Sequence, residues 1–141
     1  MVINDLISGI SNAIFDNFGE NYEIHSEEIT QGLKEPCFYI ACVNPNHKRF
    51  LGERYYDGAP MCIQYFPKNS KKKNEECNAV AERLNGCLEV ISLNDRLIRG
   101  SNMHYEIDGG VLHYFVSYDE FSYVYKDEEK METMKETQRG R

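Results

Sequence analysis

Residues 36–43 read Pro36-Cys37-Phe38-Tyr39-Ile40-Ala41-Cys42-Val43. Apolar side chains occupy both parities of this run. Successive side chains of a strand point to opposite faces, so the run predicts a central strand covered on both sides. Pro36 suits a strand start, where no ladder N–H is needed, and Asn44-Pro45-Asn46 reads as the turn that ends it.

Upstream of this run, Ile3, Leu6, Ile7, Ile10, Ile14 and Phe18 recur at helical spacing, opposite Asn4, Asp5, Ser8, Asn12 and Asp16. That pattern predicts an amphipathic helix over 3–18, stopped by Gly19. Tyr22–Ser26 alternates as a short strand, and the polar residues 27–35 read as a loop. Downstream, Phe50–Tyr56 reads as a strand followed by a turn at Asp57-Gly58. Met61–Phe66 is a second strand, bounded by Pro60 and Pro67. Lys-rich residues 68–73 then lead into a helix over 74–88. Asn74 is its cap, Glu75 and Glu76 lie in its first turn, and Cys77, Val80, Ala81, Leu84 and Leu88 form its apolar stripe.

The remainder is β-rich. Asn94-Asp95 separates strands at 89–93 and 96–99, and Asp108-Gly109-Gly110 separates 103–107 from 111–125. In the last segment Leu112, Tyr114 and Val116 share one parity, whereas Phe121, Tyr123 and Tyr125 fall on the other. Such a slip predicts a bulge or a sharp bend near Asp119-Glu120. The order of helix, strands, helix, strands predicts an α+β fold, with two helices packed on a mostly antiparallel sheet. Residues 1–125 are expected to form a single domain. Residues 126–141 lack an apolar stripe and read as a charged, disordered tail.

The chain has 141 residues and a formal net charge of −7, from 16 basic and 23 acidic groups. Residues 126–141 hold five of each, so residues 1–125 carry 18 acidic and 11 basic groups and the whole −7. Nucleic-acid affinity rests on neutralising phosphates, so this balance argues against sequence-specific nucleic-acid binding. The Lys68–Lys73 run, without interleaved aromatics, reads as a solvated loop. No apolar run reaches the ~18–20 residues of a membrane span, and the start of the sequence lacks the pattern of a signal peptide. Five cysteines, an odd number with no CxxC, point to free thiols in a reducing compartment.

Motifs for nucleotide, metal or hydrolytic chemistry are absent from the sequence. His104 and His113 fall on one face of the 103–125 hairpin, either directly opposite each other or with His113 facing Glu106. A structural zinc site needs four ligands, and spacing supplies no more than these two. Cys37, Cys42 and Cys62 lie in apolar strands and read as small hydrophobes rather than nucleophiles. No catalytic residue, metal or cofactor is therefore assigned. Tyr and Phe crowd the second half of the chain, where core filling and an assembly surface are both open.

Glu35-Pro36-Cys37-Phe38 through Asn44-Pro45, Phe50-Leu51-Gly52-Glu53-Arg54-Tyr55, Pro60 and Ile63-Gln64-Tyr65-Phe66-Pro67 form an ordered set. Together with the first helix, the GLKEPCF opening and the Asn78–Leu88 helix, this set resembles a phage tail terminator family of prophages in Gram-positive bacteria. The resemblance covers about residues 1–125. It implies a structural protein, made in the host cytoplasm and carried at the head-proximal end of the tail. Its implied partners are further copies of itself in a ring, usually a hexamer, together with the tail tube protein and a head-completion or connector protein. It implies no catalytic residues. Competing readings are another head–tail neck component and a small enzyme with a Cys or His site.

The segment Asn44–Gly58 is too long for a tight turn and carries mixed charge beside adjacent aromatics, which suits a binding loop. Lys48, Arg49, Arg54, Tyr55 and Tyr56 are its candidate interface residues, joined by Phe121 and Tyr123 from the last strand.

Overall fold

The computed structural model describes residues 2–27, 34–68 and 71–123. The expected tail at 126–141, together with Tyr125, lies outside them. The described chain is α+β: α1 (Ile3–Phe18), β1 (Glu23–His25), β2 (Cys37–Cys42), β3 (Asn46–Leu51), β4 (Arg54–Gly58), β5 (Pro60–Phe66), α2 (Lys73–Leu88), β6 (Val90–Leu93), β7 (Arg96–Arg99), β8 (Ser101–Asp108), β9 (Val111–Ser117) and β10 (Glu120–Tyr123). It divides into two compact units. The larger holds 2–45 and 59–119; the smaller is built on 46–58 and on the segment from 120.

In the larger unit five strands run in the order β1-β2-β5-β9-β8. Only the β1–β2 pair is parallel. Register places Phe38, Ile40, Met61, Ile63, Tyr65, Leu112, Tyr114 and Val116 on one face, and all of them are buried. Both helices cover that face. Helix α1 presents Leu6, Ile10, Ile14 and Phe18, with the Phe18 ring 5.0 Å from that of Phe38. Helix α2 presents Cys77, Val80, Ala81, Leu84 and Leu88, the stripe that its spacing predicts, and Cys87 beside them.

Four tyrosine hydroxyls tie the sheet to α2 along its length. Tyr65 donates to Glu76 (2.6 Å), Tyr105 to Asn78 (2.9 Å), Tyr114 to Asn85 (2.5 Å) and Tyr118 to the Leu88 carbonyl (2.5 Å). Tyr65, Tyr114 and Tyr118 are thus core, with each phenol satisfied by a side-chain or backbone oxygen of the helix. Burial raises the pKa of Tyr65, Tyr114 and Tyr118, that of Tyr114 to about 12.

The β6–β7 hairpin is a separate two-stranded sheet. Its turn residues Asn94 and Asp95 both have positive φ, as an Asn-Asp hairpin turn requires. In the β8–β9 hairpin, Gly109 and Gly110 form the turn and Glu106 faces His113, the second of the two registers open in the sequence.

Several expectations are corrected. Helix α2 begins at Lys73, so Asn74 is its second residue and not its cap. Strand β2 is internal to the sheet, yet both helices lie on the same side of it. The long loop expected at Asn44–Gly58 is a hairpin, β3–β4, paired from Asn46↔Gly58 to Leu51↔Arg54. Its turn is Gly52-Glu53, with Gly52 at φ +59°, and Arg49 Nε donates to the Gly52 carbonyl at 3.0 Å. Asp57-Gly58, a strong turn pair in isolation, is strand because Asp57 pairs with the His47 ring across the hairpin.

The phase slip after Tyr118 also resolves into more than a bulge. Tyr118 N–H donates to the Ala59 carbonyl, and the Asp119 carboxylate accepts the Ala59 N–H at 3.1 Å. Beyond this anchor the chain changes sheets, from β9 in the five-stranded sheet to β10 beside β4.

Candidate interface

The smaller unit is a three-stranded antiparallel sheet in the order β10-β4-β3. Register sorts its side chains onto two chemically different faces. Lys48 lies opposite Tyr56, and Tyr56 opposite Phe121. Phe50 and Arg54 join them: the Phe121 ring lies 5.1 Å from Phe50 and 5.3 Å from Tyr56, and the Arg54 guanidinium sits 4.7 Å from the Phe121 ring centre and 5.4 Å from that of Phe50. This arrangement is a cation held between two aromatic rings. Phe50 and Phe121 remain 56% and 46% exposed, a large apolar surface beside a cation.

The other face carries His47, Arg49, Tyr55 and Asp57. The His47 ring stacks on Tyr55 at 4.4 Å and 11°, while its Nδ1 meets the Asp57 carboxylate. Asp57 is buried, so the pair closes the hairpin rather than facing a ligand.

Of the residues singled out in the sequence, Lys48, Arg54, Tyr56 and Phe121 therefore meet on one face. Arg49 and Tyr55 lie on the opposite face, and the Tyr123 backbone pairs with Arg54. Phe50, His47 and Asp57 are not among the interface residues expected from the sequence. Strand parity from Lys48 could have flagged Phe50. The His47–Asp57 pairing needed the hairpin register.

Among the described residues no group of three or more His, Cys, Asp or Glu is placed to hold a metal ion. His25 bonds Glu23 at 2.9 Å, and His104 stacks on Phe115. All five thiols are free, and burial is the first cause raising each of them. Cys37 is pushed up to about 11, helped by the carboxylates of Glu23 and Glu35. Cys87 also reaches about 11, against the opposing pull of Arg83.

These thiols give a pH prediction. The folded state holds the Cys37 and Cys87 protons more tightly than the unfolded chain does. Their contribution to stability is therefore complete below the ordinary thiol pKa and is lost as pH rises toward about 11. The denaturation midpoint should be insensitive to these groups up to about pH 8 and fall between about pH 9 and 11. Native thiols should label slowly at pH 8. A single fast-labelling Cys in the folded protein would contradict the assignment.

A family model described as phage tail terminator protein matches residues 5–132. The chain belongs to the phage tail terminator protein family. This terminator is thus a structural protein of the phage tail, in a family whose role lies between tail and head components. No curated protein matches it. One solved structure aligns over 89% of the terminator and 98% of its own chain, at 11% identity and a TM-score of 0.40, too distant to bear on function. No helix among the terminator's described residues is long and apolar enough to cross a membrane.

Proposed function

We propose that this terminator closes the head-proximal end of the tail tube as a ring of copies, halts tube growth there and offers the surface to which the head is joined. Family membership over residues 5–132 supports the role. The observation favouring the β10-β4-β3 sheet as its contact surface is the exposed Phe50–Arg54–Phe121 cluster. Apolar rings and Arg are the side chains that dominate assembly interfaces. A ring uses one head-to-tail contact repeated around an axis, so each copy presents two different patches.

The test is complementation of a phage deleted for the gene. Deletion should yield tails of uncontrolled length without heads, and the wild-type chain should restore normal particles. The Arg49→Glu/Arg54→Glu chain should fail to restore them while still unfolding in one cooperative transition; Arg49 is exposed and contributes little to stability, whereas Arg54 is half-buried against Phe50 and Phe121, so the melting curve separates lost contact from lost fold. Arg54→Glu should account for most of the loss, since Arg49 turns back onto the hairpin turn. Normal tails from the deletion phage would sink the terminator role. Normal tails from the double variant would remove this sheet from the interface.

A further inference from the structure

Both helices cover one face of the five-stranded sheet, and among the described residues no helix covers the other. Register assigns Tyr39, Ala41, Cys62, Gln64, Phe66, His113 and Phe115 to that second face, together with the fully buried Cys37 at its β1 side. Cys62 is likewise buried and the others are half-buried, and the face is apolar enough that β2 reads as a strand covered on both sides. An apolar sheet face without its own helix layer is suited to packing on a second sheet.

Its Asp and Glu side chains face no Lys or Arg among the described residues, and His25, His104 and His113 lie among them on this face. Strands β1, β2, β5, β8 and β9 contain no Lys or Arg. The edge strands bring carboxylates to this face: Glu23 on β1, opposite Cys37 and bonded by the His25 ring, and Glu106 on β8, opposite His113. The charge of Glu106 reaches the middle of the face, where it adds to the rise in the Cys62 thiol pKa. The aromatic face of the β10-β4-β3 sheet has the opposite sign: Lys48 and Arg54 stand among Phe50, Tyr56 and Phe121, while Asp57 lies on the reverse face.

We infer that the aromatic, cationic face of the β10-β4-β3 sheet of one copy docks on the helix-free, anionic face of the five-stranded sheet of the next copy. This rests on the ring reading above and names the two surfaces that the repeated contact joins. The two faces differ, so the contact is head-to-tail, as ring closure requires. Both carry apolar side chains together with charges of opposite sign, which sets register and disfavours like-to-like pairing.

The test is a charge swap in full-length chains that complement the deletion phage. Lys48→Glu/Arg54→Glu reverses one face, Glu23→Lys/Glu106→Lys reverses the other, and the fourfold variant reverses both. The readouts are terminator retained on purified tails, tail length by electron microscopy, and a melting curve for each chain. Each single-face reversal should lower retention by about tenfold or more, and the fourfold variant should restore it to within about twofold of wild type. If Arg54→Glu melts early, Lys48→Glu paired with Glu106→Lys carries the same swap. Wild-type retention from both single-face reversals would overturn the pairing. Loss on reversing the cationic face without rescue by the anionic swap would also overturn it, assigning that face to a tail or head component and leaving the terminator role standing. Only normal tails in the gene deletion would count against that role.

Discussion

Tyr118→Ala is expected to destabilise the terminator by about 3–5 kcal/mol, the range for removing a fully buried aromatic side chain from a core that collapses only in part. Tyr118 has no exposed surface, and its hydroxyl donates to the Leu88 carbonyl at 2.5 Å. That carbonyl belongs to the last turn of α2, where it has no partner within the helix. Tyr118→Phe separates the two contributions. It keeps the ring and strands a buried acceptor, for a cost of about 1–3 kcal/mol. Urea denaturation with both variants measures the difference. A Phe variant as stable as wild type would show that the Leu88 carbonyl is satisfied without the phenol.

Gly100→Ala should also destabilise, by about 1–3 kcal/mol, through overpacking. A Cβ at this position would lie 2.7 Å from Val116 Cγ2, 3.1 Å from the Leu88 carbonyl oxygen and 3.2 Å from Tyr118 Cε1. The Val116 methyl can shift, but the carbonyl is held by Tyr118 and is the harder of these neighbours to move. Gly86→Ala, in the exposed part of α2, should have the opposite sign. A Cβ there meets nothing within 4 Å, and removing a helical glycine stabilises by about 0.5–1 kcal/mol. Paired melting curves check the contrast. Equal shifts at the two sites would mean that the close packing around Gly100 is not rigid.

Local pattern determined much of this protein. The 3.6-residue spacing of Leu6, Ile10, Ile14 and Phe18 and that of Val80, Ala81, Leu84 and Leu88 identified both helices and their buried faces, because a helix must hide its apolar stripe. Asn94-Asp95 announced its hairpin because the residues that tolerate positive φ are few. The ordered set from Glu35 to Pro67 pointed to the tail terminator family.

Tertiary structure decided the rest. Asp57-Gly58 reads as a turn only while Asp57 lacks the His47 partner that the β3–β4 register supplies. The slip after Tyr118 predicts a bend, but its destination depends on β4, more than sixty residues earlier in the chain. Whether a tyrosine is core or surface depends on what lies opposite. Tyr114 meets Asn85 beneath α2, whereas Tyr56 meets the exposed Phe121 on the β10-β4-β3 sheet. These outcomes rest on pairings between distant segments, whereas periodicity reports only on neighbours along the chain.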